Sequence, residues 1–321
     1  TSGIWGTGAL TLGVTAADFA QILFVGAANI NNAIVVNSAL GNSDAAGTFR
    51  VDSTGNVFNG TLTANLANAT FRNNGSTGAV TVNGAISGAS GLMLSASAGT
   101  GLTITLANTG TANSYVGNTT ISSVKETLTL GAANQIPNGS GKGNLIVTGG
   151  TFKMGGFSET INGLSGTGTV DGVSGAPTLT VGENDATGAA NTFSGVIKNT
   201  AGTLALTKTG SGTLTLSGNN TYGGATTVSV GTLKAGSITG LSPNSAVSVA
   251  ASATLDLGGF NKTPIGEAAQ DVIVQAVNGS AEGGATAPVR VWRNAARWAA
   301  ASHAVSGSSS AACRRDRKSV V

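Results

Sequence analysis

The sequence runs to 321 residues, of which 50 are Gly, 5 are Pro and only 9% are charged, against averages of about 7% Gly and 25% charge. Gly with no three-residue period and so little Pro excludes collagen, and 40% apolar residues with a mean hydropathy of +0.20 exclude disorder along the whole length. Thr, Asn, Ser and Gly interrupt every apolar run before it reaches the roughly 18 residues of a membrane helix.

The net charge of +3 is not spread evenly. Residues 1–263 carry nine basic and nine acidic groups, and the whole excess lies in residues 264–321, together with His303, Cys313, Trp292 and Trp298. A neutral main body leaves nucleic-acid binding without an electrostatic footprint. A single Cys permits no internal disulfide, so the fold rests on packing and backbone hydrogen bonds, which is feasible at this length. The chain begins Thr1-Ser2-Gly3, without Met or a leader. It reads as a piece of a longer polypeptide, so the missing leader does not argue against export.

In chain order, the first candidate element is Thr15 to Phe24, read as a short turn of helix with Thr15 as N-cap. Everything after it up to residue 263 reads as strand. Period-two runs of three to five residues recur at 61–63, 79–82, 102–106, 127–130, 145–147, 178–181, 213–216 and 226–230, each bounded by Gly, Asn or Ser. Such spacing fits either a sandwich or a solenoid.

Internal similarity separates the two. Ser114-Tyr115-Val116-Gly117-Asn118-Thr119-Thr120-Ile121 matches the later segment Thr221 to Val228. Met154-Gly155-Gly156-Phe157 matches Leu257-Gly258-Gly259-Phe260, and Gly84-Ala85-Ile86 matches Gly195-Val196-Ile197. A block of roughly 105 residues thus occurs twice, at about 84–163 and 195–263, too long for one turn of a solenoid and itself made of short strands. The expected fold is all-β, a right-handed single-stranded parallel β-helix (β-solenoid), with Leu, Val and Ile inside and Gly at corners that need positive φ. At roughly 20 residues per turn, residues 1–263 make 12 or 13 turns, about 60 Å at the spacing of hydrogen-bonded strands.

The segment Gly212 to Ser237, preceded by Leu206 to Ser211, resembles the autotransporter-associated β-strand repeat, the passenger-associated transport repeat of type V secreted proteins. The matching residues are Lys208, Gly210, Gly212, Thr213, Leu214, Asn220, Thr221, Tyr222, Gly224, Thr226, Thr227, Val228, Gly231, Thr232 and Leu233. The earlier copy, 99–130, is degenerate and keeps Tyr115, Gly117, Thr119, Thr120 and Leu128. The resemblance implies a β-helical passenger stalk at the surface of a Gram-negative-type cell, exported across the outer membrane with a repeat that assists folding and export. It implies an outer-membrane β-barrel translocator as partner, for which no series of alternating, aromatic-girdled strands is present in this chain. It implies no catalytic residue and no cofactor.

The pattern ends at Thr263. From Pro264 the composition turns to Ala, Arg and Trp. Residues 264–321 are expected to be a basic, non-solenoid tail, disordered or partly helical, translated out of frame or past a gene break. Within it, Val289 to Ala304 resembles a short basic amphipathic helix of the kind that binds membrane surfaces, although an unfolded tail is the expectation.

Chemistry-bearing residues are sparse. Glu183 and Asp185 form the closest carboxylate cluster, but glycoside hydrolysis needs two carboxyls converging on a groove, and a solvated turn is the expectation. Arg50 and Asp52 share one face of a strand and read as a surface ion pair. A serine triad needs a His base, and His303 lies in the tail. One Cys and one His make no zinc site, and no Asp-rich calcium repeat occurs. Thr61, Thr103, Thr127 and Thr213 head Thr-x-Thr pairs whose unequal gaps do not suit a regular outward array, so they read as strand surface. Tyr115 and Tyr222 occupy equivalent places and read as turn residues rather than glycan platforms. The sequence therefore points to a non-enzymatic passenger, with an adhesin module binding extracellular glycans or matrix as the alternative and a β-helical polysaccharide-degrading enzyme behind it.

Overall fold

The turns of the chain are held by one repeated interaction, the pairing of a short strand with the strand one turn earlier. A computed structural model of the protein describes residues 8–13, 20–24, 26–37, 49–95, 100–182 and 191–260. These contain 28 strands of two to five residues and no helix. Every strand pairing among them is parallel. The expected parallel β-solenoid is the observed fold. His303, Cys313, Trp292, Trp298 and the whole tail reading lie outside the described residues, as do Glu183 and Asp185.

Each turn visits three faces in a fixed order. Phe49–Val51, Asn56–Phe58 and Leu62–Ala64 are one such turn. The first face is an eleven-stranded sheet from Ile22–Phe24 to Ala253–Asp256, and the second an eight-stranded sheet from Asn29–Ile30 to Val196–Asn199. The third is in two parts, four strands from Leu10–Leu12 to Ile86–Ser87 and five from Glu159–Ile161 to Val247–Val249.

The alternation read from the sequence becomes an inside and an outside. In Leu102–Leu106, Leu102, Ile104 and Leu106 are buried while Thr103 and Thr105 are half-exposed. The strand stacks squarely between Gly78–Val82 and Glu126–Leu130. Each fully buried Leu, Ile, Val or Phe stabilises by roughly 1.5–3 kcal/mol. Near the N-terminal end the interior column is aromatic: the Phe49 and Phe71 rings stack at 4.5 Å on successive turns, with Phe24 6.4 Å beyond Phe49, geometry that adds to area burial.

Two expectations need correction. Ile22–Phe24, the end of the segment read as a helical turn, is a strand paired with Phe49–Val51; Ile22 and Phe24 point inward with Leu23 out, so a period of two replaces the helical reading there, while Thr15 lies outside the described residues. The chain length of a turn is also uneven: Thr151 stacks on Thr169, but Ile34 reaches as far as Leu62 and Leu92 as far as Thr119. Most turns take up more chain than the expected spacing allows, so the solenoid makes fewer turns than 12 or 13.

Gly serves two purposes rather than one. Gly182 at the corner after Thr178–Val181 has φ 108°, a conformation in which a side chain would be strained. Gly84 has no positive φ; a Cβ there would lie 1.6 Å from the carbonyl oxygen of Gly60 in the turn before. Close approach between stacked corners, not dihedral freedom, fixes Gly84.

The repeated block does not keep its face. Ser87 and Glu159 on the third face are separated by two turns without a strand there, and the second face likewise has two strandless turns after Asn199. Counting these positions, Thr119–Ile121 on the first face and Thr226–Val228 on the third are 14 face positions apart. The same holds for Ile86–Ser87 against Val196–Asn199, and for Thr151–Lys153 against Ala253–Asp256. Fourteen is not a multiple of three, so each segment reappears two faces further round the solenoid.

Candidate functional site

The strandless turns are where the repeat motif sits. Asn113 and Tyr115 open the break on the third face, and Asn220 and Tyr222 open the break on the second. All four side chains are buried. The Ile86 N–H donates to Asn113 Oδ1 at 2.8 Å, and Asn113 Nδ2 donates to the Gln135 carbonyl at 2.8 Å. In the second copy the Ile197 N–H donates to Asn220 Oδ1 at 2.7 Å, and Asn220 Nδ2 donates to the Gly240 carbonyl at 2.6 Å. A side-chain amide thus carries the ladder across a turn that lacks a strand, satisfying backbone groups that would be costly to bury alone.

Each tyrosine closes its own turn. Tyr115 hydrogen-bonds Thr119 Oγ1 at 2.5 Å, and Tyr222 hydrogen-bonds Thr226 Oγ1 at 2.7 Å. Burial pushes both phenols up, Tyr222 to about 12, so neither ionises at neutral pH. The structural reading of these tyrosines holds: the rings lie inside, where no sugar can stack on them.

The second strandless turn carries a match that the sequence reading missed. Pro137-Asn138 and Pro243-Asn244 are equivalent, and both Asn side chains bond to neighbouring turns, Asn138 Nδ2 to the Thr160 carbonyl at 3.1 Å and Asn244 Nδ2 to the Thr221 carbonyl at 3.2 Å. A two-residue match is too short to stand out until the turns are aligned.

Glu159 was also missed. It begins the strand that resumes the third face, and it is buried. The Gln135 N–H donates to its Oε2 at 2.8 Å and the Ile136 N–H to its Oε1 at 3.2 Å. Burial raises its pKa to about 8, against the opposing pull of the N–H donors of Gln135, Ile136 and Thr160. The Gln135 side chain bonds both backbone groups of Asn108, at 3.1 and 2.9 Å, joining the break to the turn before it. Alternation puts Glu159 on the same side as the buried Ile161, but nothing local shows that the N–H groups of Gln135 and Ile136 lie against it.

Lys208, a repeat residue, is buried at the end of Ala205–Lys208. Its Nζ donates to the carbonyls of Thr209 and Gly210, the latter at 2.9 Å. The ammonium caps a corner where carbonyls converge, a structural use of a charge.

Outside, Arg50 Nε and Asp52 Oδ2 form the expected ion pair at 2.5 Å, part-exposed. The Thr reading changes in part. Thr103 and Thr127 are stacked neighbours, and their column continues through Thr151 to Thr169. Thr213 lies on the first face, and Thr61 precedes Leu62–Ala64 on the third, so the four named residues form no single array. A further column, Thr160, Thr180, Thr207, Thr227 and Ser248, follows the third face turn by turn. Exposed amides also stack: Asn59 Nδ2 donates to Asn29 Oδ1 and Asn31 Oδ1, and Asn83 Nδ2 to Asn59 Oδ1, each at 2.8 Å. Among the described residues no three His, Cys, Asp or Glu converge to hold a metal.

The fold is a parallel β-helix whose interrupted turns are bridged by residues of the repeat. Residues 206–235 match the family model described as passenger-associated-transport-repeat. Over 137 residues the chain is 37% identical to the adhesin BmaC autotransporter of Brucella suis biovar 1 (strain 1330), a stretch covering 41% of this chain and 3% of that protein. No solved structure matches the chain significantly. The comparisons thus place a passenger-associated-transport-repeat at residues 206–235 and a similarity to an autotransporter adhesin over part of the chain.

Proposed function

We propose that residues 1–263 are a stalk segment of a passenger displayed at, or released from, the surface of a Gram-negative-type cell, with an outer-membrane β-barrel translocator as its partner in export. The observation that carries this reading is the use of the repeat's own residues. Asn220, Tyr222, Thr226 and Lys208 are spent inside, on bridging turns and capping corners, which suits a repeat selected for folding. Each added turn buries several apolar side chains worth roughly 1.5–3 kcal/mol apiece. Turn-on-turn folding outside the cell would then favour outward movement of the chain. No catalytic role is proposed.

The test is surface display. With the chain placed between a secretion leader and an outer-membrane barrel, Asn220→Ala and Tyr222→Ala are expected to lower the protease-resistant passenger at the cell surface. Equal display of folded passenger by wild type and both variants would overturn the reading.

A second reading, an adhesin module, is favoured by one observation: the exposed amide ladder of Asn29, Asn31, Asn59 and Asn83 offers aligned donors and acceptors of the kind that hydroxyl-rich glycans use. Glycan-array binding that Asn59→Ala abolishes would support it, and an empty array would remove it.

A further inference from the structure

Among the described residues, no strand lies beyond the last turn. Leu255, Leu257 and Val249 point toward the core but are only partly buried, unlike their counterparts one turn earlier, Leu233, Ala235 and Val228. The first copy of the block shows how such a turn is continued. Met154 to Phe157 and Leu257 to Phe260 make the same turn: Gly155 and Gly156 have φ 58° and 85°, Gly258 and Gly259 have φ 63° and 76°. The Phe157 N–H donates to the Met154 carbonyl at 2.8 Å, and the Phe260 N–H to the Leu257 carbonyl at 3.1 Å.

In the first copy this turn leads into Glu159–Ile161, Leu164–Gly166 and Thr169–Gly172, which fill the next three faces and close the stack. The same alignment puts Lys262 where Glu159 stands, Pro264 where Ile161 stands and Glu267 where Leu164 stands. An ammonium cannot accept the two N–H groups that Glu159 accepts. Proline at the Ile161 place has no N–H to give to the turn that follows, which is where the backbone of Ile161 bonds. Leu164 is wholly buried, and a carboxylate there would be unpaired.

We infer that the surface formed by Leu241–Ser242, Val247–Val249 and Ala253–Asp256 accepts one further parallel turn, and that its partner is a segment of repeat sequence reading like residues 158–172, which residues 261–275 do not supply. The register is set by the 14-face period, which brings the first strand of that segment onto the second face, above the strandless Leu241–Ser242. Its carboxylate would there do for this break what Glu159 does for the break at Gln135 and Ile136. The inference is independent of whether the passenger is a stalk or an adhesin.

The test grafts the sequence of 158–172 onto positions 261–275 of the full chain and follows hydrogen exchange. Protection at Val249, Leu255 and Leu257 is expected to rise about tenfold or more, as for groups moved from a fraying end into a cooperative unit. A second graft that keeps Lys at position 262 is expected to lose most of that gain. Exchange at Leu128 and Leu130 reports in each variant that the rest of the solenoid is folded. As an independent arm, a synthetic peptide of residues 158–172 is added to the natural chain, with protection at Leu255 expected to rise with peptide concentration. Unchanged exchange at Leu255 and Leu257 in both arms would overturn the proposal, as would equal protection in the two grafts.

Discussion

Asn220 stands in for a strand beside Ile197: its Oδ1 accepts the Ile197 N–H at 2.7 Å, and the same contact, at 2.8 Å, joins Asn113 to Ile86 on a different face. The amide completes the ladder from both sides, because its Nδ2 goes on to the Gly240 carbonyl. Replacing Asn220 with Ala removes an acceptor and a donor and leaves both backbone groups buried. The expected loss is about 1–3 kcal/mol, read as a lower urea midpoint with unchanged slope. Asn220→Asp keeps the acceptor but sets a buried carboxylate against the Gly240 carbonyl, so at neutral pH its midpoint should fall at least as low as that of Ala.

Tyr222 tests the other half of the joint. Tyr222→Phe keeps the ring and deletes only the hydroxyl that bonds Thr226, which predicts a loss of about 1 kcal/mol. Tyr222→Ala leaves a cavity as well and should cost about 3–5 kcal/mol. Thermal or urea unfolding of the two variants separates them. Equal losses would mean that ring packing contributes nothing, against the complete burial of Tyr222.

Glu159 makes stability depend on pH in a direction opposite to the usual carboxylate. Its folded pKa is raised by burial from 4.5 to about 8, so the folded state holds the proton more tightly than the unfolded state. Its contribution is therefore fully present below about pH 4.5 and is lost as pH rises through 8. Urea midpoints between pH 5 and 9 should decline for wild type and decline less for Glu159→Gln, which stays neutral throughout. A wild-type midpoint that rises over that interval would refute the assignment.

Gly84→Ala and Gly75→Ala distinguish the two uses of glycine. At Gly84 the new methyl meets the Gly60 carbonyl at 1.6 Å, and two backbones would have to separate. At Gly75 the space is open and only the positive φ, 85°, opposes the change. Gly84→Ala should cost about 1–3 kcal/mol or more, and Gly75→Ala about 1 kcal/mol. Differential scanning calorimetry of the two proteins decides the order.

Much of this architecture is legible without coordinates. Alternating runs such as Leu102 to Leu106 and Thr178 to Val181 specify strands with one dry face, since a period of two puts every second side chain on the same side. The recurring segments favour a solenoid over a sandwich, and the Lys208 to Leu233 match carries the resemblance. Tyr115 and Tyr222 are readable as turn residues from their recurrence alone.

What the tertiary structure decided is where the turns fall on one another. Stacking partners as near in sequence as Thr151 and Thr169, or as far apart as Ile34 and Leu62, are chosen by corner length and packing. Neither leaves a local signal, so the turn came out longer than the spacing of the strands suggested. Thr103, Thr127, Thr151 and Thr169 become a column only when four unequal turns are laid in register. Glu159 becomes a buried acceptor only when the strand it begins lands on Gln135 and Ile136, two residues from the turn before whose N–H groups have no strand to pair with. The sequence alone determined which side chains alternate and which motif repeats, because those are local properties of the chain. The stacking of turns decided which polar groups were buried together, because that depends on distant residues meeting face by face.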